Sequence, residues 1–162
     1  MNRVLTYEIT AEQEGTKIGD FLRTAGYSRH VIIHLKKTEN GILLNGEWAY
    51  VGQFLKEGDH LEIRIIEFES SEQIVPAELP LDIVYEDEDL LIINKPADMP
   101  IHPSINNYDN TLANALMWYY QQKGETFVYR CINRLDRDTT GLLIVAKSML
   151  SGGILSDMSK KR

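Results

Sequence analysis

The sequence predicts an α+β protein made of two small domains. Three features lead to this prediction: helical spacing of apolar residues near the amino terminus, short strand-like runs after residue 40, and a stretch rich in proline and glutamate at residues 67–80. A chain of 162 residues can form two domains with modest cores. We therefore expect domains at residues 1–66 and 81–162, joined by an acidic linker at residues 67–80.

Two short helices are predicted in the first domain, after an extended segment at residues 4–10. Thr16 is a candidate N-cap for the first helix, which ends at Gly26 and has the following apolar residues at helical spacing: Ile18, Phe21, Leu22 and Ala25. Ser28 is a candidate N-cap for the second helix, which ends at Asn40-Gly41.

A small sheet is predicted to complete this domain. Residues 42–44 and 48–51 have strand character and flank Asn45-Gly46, the preferred pair for a tight hairpin turn. Apolar residues then alternate along residues 61–66, which predicts a strand with one face against the helices.

The second domain is predicted to contain a hairpin at residues 83–94, which is closed by Lys95-Pro96. A helix should start at Asn110 or Thr111 and end at Gly124. The remaining elements are two strands and an amphipathic segment, at residues 127–132, 142–146 and 154–158.

Charge is segregated along the chain, although the formal net charge is −7. Five lysines and arginines lie between Lys17 and Lys37 against Asp20 alone, whereas Glu67 to Asp98 contains ten carboxylates against one lysine. Because exposed charges more than about 10 Å apart are screened, local charge decides whether a polyanion docks. The acidic total therefore does not exclude a nucleic-acid partner.

Composition argues against membrane and metal functions. No apolar run approaches the roughly 18 residues of a membrane span, and the amino terminus lacks a secretory pattern, so we expect a cytoplasmic protein. The single cysteine, Cys131, and four scattered histidines give no metal-ligand spacing, and we expect no metal.

The densest polar segment is residues 133–141, between two predicted strands. In one interpretation it is only a turn, in which aspartate and threonine side chains bond to backbone N–H groups. In the other, Asp136 stays ionised beside Arg134 and Arg137 and acts as nucleophile or base toward a polyanion. A third interpretation is a phosphatase motif of the DxDxT type, but such a motif should follow an apolar strand early in a domain.

A basic face is predicted on the second helix. Arg29, Lys36 and Lys37 lie one or two turns apart and can follow a phosphate backbone without reading bases. The alternative is a lysine-rich face that only keeps the helix soluble.

Three segments, residues 81–96, 99–103 and 134–147, closely resemble RluA-type RNA pseudouridine synthases of the large-ribosomal-subunit kind. Residues 14–66 resemble the S4 RNA-binding module that precedes the catalytic domain in many members. The resemblance implies an S4-like domain, then the first part of a catalytic domain with a mixed or antiparallel sheet.

The resemblance also implies a function: isomerisation of uridine to pseudouridine in structured RNA, without metal or cofactor. It makes Asp136 the nucleophile and Arg134 the residue that occupies the space left by the flipped base. Ribosomal RNA is the favoured partner, transfer RNA is an alternative, and a monomer is expected.

Two departures from the family pattern affect these expectations. Residue 133 is Asn where the family usually has His. The family's base-stacking tyrosine and the basic partner of its aspartate would follow Arg162, so we expect little or no activity from this chain. The competing hypothesis is a non-catalytic RNA-binding protein of the S4 type.

Overall fold

The computed structural model describes residues 2–161, which form two compact units. The first unit is Asn2–Ile66, and the second unit begins at Glu67. Met1 and Arg162, the outer ends of the predicted domain ranges, lie outside the described residues.

The first unit contains two helices and a four-stranded antiparallel sheet with strand order β1-β4-β2-β3. A single 3-10 turn, Ala11–Gln13, follows the first strand. The elements are β1 (Asn2–Glu8), α1 (Ile18–Thr24), α2 (Arg29–Lys37), β2 (Ile42–Leu44), β3 (Glu47–Trp48) and β4 (His60–Ile66). The two helices followed by strands are confirmed, but β1 pairs with β4 along its whole length where only an extended segment was predicted.

Local sequence explains most of these boundaries. The Ser28 hydroxyl accepts a hydrogen bond from the Val31 N–H at 3.3 Å, which confirms it as the N-cap of α2. Thr16 was wrong as a cap, because α1 begins after Lys17 and has no side-chain cap. Asn45 and Gly46 both have positive φ, at 52° and 85°, as the primed turn between β2 and β3 requires.

The second unit contains a three-stranded antiparallel sheet with strand order β5-β6-β7 and two helices. The elements are β5 (Ile83–Glu86), β6 (Leu90–Lys95), α3 (Leu112–Gln122), β7 (Gly141–Ala146) and α4 (Met149–Lys160). The hairpin, the Thr111 cap and the strand β7 are confirmed. Helix α4 is longer than predicted because Ser148 caps it, with its hydroxyl accepting from the Ser151 N–H at 3.1 Å.

Residues 127–132 do not form the predicted strand. Phe127 and Tyr129 are buried in the core, and their N–H groups donate to the hydroxyls of Ser70 and Ser71 at 3.0 and 3.1 Å. Only the end of this stretch pairs with β7, through an isolated bridge at Cys131. The two aromatic side chains pack in the core, and the hydroxyls of Ser70 and Ser71 accept from the backbone N–H groups that a neighbouring strand would otherwise have bound.

Residues 67–80, the predicted linker, have no helix or strand but bind to the second unit. Glu67 forms an ion pair with Arg130. The Asn114 side-chain amide donates to the Val75 carbonyl at 2.7 Å, and the Asn114 backbone carbonyl accepts from the Ala77 N–H at 3.1 Å. This segment is therefore part of the second unit's framework, because it satisfies polar groups that the unit would otherwise bury unpaired.

Candidate active site

The candidate site is the turn at residues 133–140, which enters β7 at Gly141. Within the turn, the Thr139 N–H donates to the Asp136 carbonyl at 3.1 Å. Gly141 has φ of +141°, a conformation that other residues rarely adopt, so a glycine is required where the turn becomes strand.

Lys95 anchors this turn from beneath. It lies at the end of β6, and its side chain is fully buried. The ammonium donates to the carbonyls of Pro96, Met99 and Arg137 at 2.8, 2.9 and 2.8 Å. All three of its N–H donors are thus used, and one of them fixes the backbone immediately after Asp136.

The pKa of Lys95 also shows which carboxylates of the turn interact with it. Burial lowers the pKa of Lys95, and the negative charges of Asp138 and Asp136 oppose this by raising it. The two aspartates therefore lie close enough to the buried ammonium to interact with it electrostatically. Their negative charge partly offsets the cost of burying this cation.

Asp136 and Arg134 are both exposed to solvent. Among residues 2–161, no hydrogen bond or ion pair involves the Asp136 carboxylate, and the same is true of Asp138. In the turn-only interpretation these side chains should bond to backbone N–H groups. Instead their oxygens face solvent and are available to a ligand.

Arg137, the second arginine beside Asp136 in the sequence, forms an ion pair with another carboxylate. Its guanidinium pairs with Asp98, with Nε and Nη2 at 2.6 and 2.5 Å from Oδ1. Asp98 is held in a left-handed conformation with φ of 60°. Sequence adjacency does not identify this partner of Arg137, because Asp98 lies thirty-nine residues earlier in the chain.

Arg134 has a different neighbour, His102. Partial burial lowers the pKa of His102, and the positive charge of Arg134 lowers it further. The imidazole packs edge-on against Tyr129, whose hydroxyl donates to the Ile101 carbonyl at 2.8 Å. The loop before α3 thus brings the His102 ring within electrostatic range of the exposed guanidinium, which disfavours the charged imidazole.

The basic face predicted on α2 is present in the first unit. Arg29, Lys36 and Lys37 are all exposed, while Val31, Ile32 and Leu35 of the same helix are buried. At 100° per residue the three cations fall within about a third of the helix circumference. None of the ion pairs among residues 2–161 involves them.

Two negative findings concern other classes of site. In the described part of the chain, no three His, Cys, Asp or Glu side chains gather into a group able to hold a metal ion. Over the same residues, no helix has the length and apolarity needed to cross a membrane.

Sequence reasoning missed Lys95, although a signal was present. Leu91, Ile93 and Lys95 alternate along β6, and the first two are buried. Period-two alternation places the lysine on the same inward face. A lysine in register with core residues should therefore have been treated as a buried, hydrogen-bonded cation.

Residues 89–162 match the family model described as RNA pseudouridylate synthase. The chain is 35% identical over 160 residues to "Uncharacterized RNA pseudouridine synthase YhcT" of Bacillus subtilis, covering 99% of this chain and 53% of that protein. It is 48% identical over 83 residues to "Ribosomal large subunit pseudouridine synthase D" of Escherichia coli K12, covering 51% and 26% respectively.

A solved structure, "Human RNA Pseudouridylate Synthase Domain Containing 1", is 29% identical, with a TM-score of 0.41 and coverage of 51% of this chain and 28% of that one. The chain spans about half the length, or less, of the curated relatives that it matches.

Proposed function

Because residues 89–162 belong to the RNA pseudouridylate synthase family, of the RluA type, we propose that this protein isomerises uridine to pseudouridine in structured RNA, with Asp136 as the nucleophile. The observation that carries the proposal is the exposed Asp136 carboxylate, unused by any described hydrogen bond, on a turn whose backbone is anchored by Lys95.

The proposed reaction is balanced without a cofactor. The bond from N1 of uracil to C1′ of the ribose breaks, the base rotates, and a bond from C5 to C1′ forms. The hydrogen on C5 leaves as a proton, and N1 gains one. A carboxylate can assist by attacking the nucleoside and then leaving again, so no oxidant, reductant or metal is consumed.

Arg134 is proposed to support base extrusion. A uridine in a helix must leave its stack before a side chain can reach it. A guanidinium is planar, stacks on bases and binds phosphate, so it suits the gap left by the base. Exposure of Arg134, two residues from Asp136, supports this role.

The first unit is proposed to hold RNA as an S4-like module, through the exposed face of α2. Arg29, Lys36 and Lys37 match the spacing needed to follow phosphates, and contacts of this kind fix position without reading bases. Large-subunit ribosomal RNA is the proposed substrate, since several relatives carry that name, with transfer RNA as the alternative. A cytoplasmic monomer that needs no metal completes the proposal.

The chemical step is tested by incubating the 162-residue chain with ribosomal RNA carrying tritium at C5 of uridine and measuring tritium release. The low activity expected of this chain should still be measurable, and Asp136→Asn should abolish it; Asp138→Asn is the matched control, since it removes a neighbouring exposed carboxylate. Equal activity in the two variants would refute the nucleophile assignment. No release from the unsubstituted chain, with RNA still bound, would favour the second candidate, a non-catalytic RNA-binding protein.

RNA binding is tested separately by fluorescence anisotropy at several salt concentrations. Arg29→Glu should weaken binding and reduce the slope of log K against log salt by about 1, because a phosphate contact is lost. Lys56→Glu makes the same charge change at an exposed residue of the first unit that is not part of α2, and it should have a smaller effect. A loss that does not depend on salt would argue against a phosphate contact.

A further inference from the structure

We propose that Asn133 is a positioning residue that fixes the Asp136 turn onto β7 through a two-point amide contact. Its Nδ2 donates to the Leu142 carbonyl at 3.0 Å, and its Oδ1 accepts from the Ile144 N–H at 2.8 Å. The inference rests on the proposed role of Asp136, and it concerns how that carboxylate is held.

Residues 130–132 pair with β7 through backbone hydrogen bonds, and the Asn133 side chain extends this pairing by one more step. Ile132 donates its N–H to the Ile144 carbonyl at 2.8 Å, and the Ala146 N–H donates to the Arg130 carbonyl at 2.9 Å. Backbone pairing with β7 stops there. The next donor and acceptor on that edge of β7 are taken by the Asn133 amide, which carries one acceptor and N–H donors like a peptide group.

The turn is consequently anchored on both sides of Asp136. Asn133 holds the chain three residues before it, and Lys95 holds the Arg137 carbonyl directly after it. Since no described hydrogen bond involves the Asp136 carboxylate itself, its position depends on these backbone anchors. Small displacements of a reacting group reduce rate strongly, so a loosened anchor should lower turnover.

Only some side chains can make this contact. The site needs a donor toward Leu142 and an acceptor toward Ile144. A neutral imidazole has one of each, whereas a protonated imidazole has two donors and cannot accept from the Ile144 N–H. Asn133→His should therefore hold the turn when neutral and release it when charged, while asparagine holds it at either pH.

The experiment measures amide hydrogen exchange of the full chain by NMR, corrected for intrinsic rates, at pH 8 and pH 5.5. Asn133→Ala should raise exchange at Ile144 by about tenfold at both pH values. Leu143 is the internal control, because alternation turns its amide toward β6. Asn94→Ala is the matched variant: it removes a side-chain bond to Asp82 in the same sheet and should leave Ile144 unchanged.

Asn133→His supplies the decisive comparison. Exchange at Ile144 should match that of the unsubstituted chain at pH 8 and that of Asn133→Ala at pH 5.5, since an ordinary histidine titrates near pH 6.5. The inference is overturned if Asn133→Ala leaves Ile144 exchange within twofold, or if Asn133→His shows no difference between the two pH values.

Turnover separates this inference from the proposed function. In the tritium assay, Asn133→Ala should lower kcat by about tenfold with KM for RNA unchanged, because the contact orients a reacting group and does not bind RNA. Normal kcat in a variant with loosened Ile144 would overturn the positioning role and leave the proposed function intact. An inactive unsubstituted chain would count against the proposed function, while the exchange data would still decide whether Asn133 anchors the turn.

Discussion

Lys95→Met tests whether the buried ammonium anchors the second unit. Methionine has a similar length and no polar head, so it removes the donors while largely keeping the volume. The change leaves the Met99 carbonyl without its described donor, whereas the Arg137 carbonyl still accepts from the Met99 N–H at 3.2 Å. The loss of stability should therefore come mainly from the Met99 carbonyl, which is left without a hydrogen-bond donor.

The magnitude follows from two opposing contributions. Hydrogen bonds from a charged donor contribute about 1.5–3 kcal/mol each, and a buried unpaired carbonyl costs about 1–3 kcal/mol. Against this, methionine avoids the several kcal/mol needed to bury an ammonium. We expect a net loss of about 2–4 kcal/mol in the free energy of unfolding, which corresponds to about 10–25 °C in Tm for a unit of this size.

The assay is thermal unfolding followed by circular dichroism, with Lys160→Met as the control in the same unit. The Lys160 side chain is 77% exposed and 3.8 Å from Asp157, so its loss should change stability by less than about 0.5 kcal/mol. Equal melting temperatures for Lys95→Met and the unsubstituted chain would refute the reasoning. They would mean that the three hydrogen bonds only offset the cost of burying the charge.

Two further predictions concern carboxylates. Asp136→Asn should lower the free energy of unfolding by less than about 1 kcal/mol in a urea titration, because its carboxylate makes no described hydrogen bond and supports the Lys95 ammonium only electrostatically; a loss above about 2 kcal/mol would indicate a structural role. Glu86 has its pKa lowered to about 2 because hydrogen bonds from Tyr119 and Lys147, with nearby positive charge, outweigh the raising effect of burial. Its contribution, about 1–2 kcal/mol after allowing for partial exposure, should be complete above about pH 4.5 and lost as the pH falls toward 2. The stability difference between the unsubstituted chain and Glu86→Gln should shrink over that range, and a constant difference would contradict the assignment.

Features set by local chemistry could be predicted from sequence. The Ser28 and Thr111 caps and the Asn45-Gly46 turn each depend on a side chain or dihedral preference within four residues. Strand β4 carries alternation strong enough to identify its buried face.

Features that depend on partners far away in the sequence could not be predicted. Strand β1 is defined by pairing with β4, more than fifty residues away, and its own sequence shows only extended character. Residues 127–132 have strand composition, yet Phe127 and Tyr129 are buried in the core and their backbone N–H groups donate to serine hydroxyls instead of to a strand. Arg137 likewise pairs with Asp98, thirty-nine residues earlier in the chain. In each case a partner that local patterns cannot identify decides the outcome.

The turn at residues 133–140 distinguishes two of the three interpretations that its composition left open, the turn-only one and the chemical one. A turn stabilised by its own aspartates and threonines would use their oxygens to accept backbone N–H groups. Here the turn is held by the Lys95 ammonium, which binds the Arg137 carbonyl, and by the side-chain amide of Asn133, which binds β7, so Asp136 and Asp138 keep their oxygens exposed. A fold that anchors a turn with other residues, and leaves its carboxylates unpaired, preserves the groups that a reaction would use. This is the physical reason to favour a chemical role for the turn over a purely structural one.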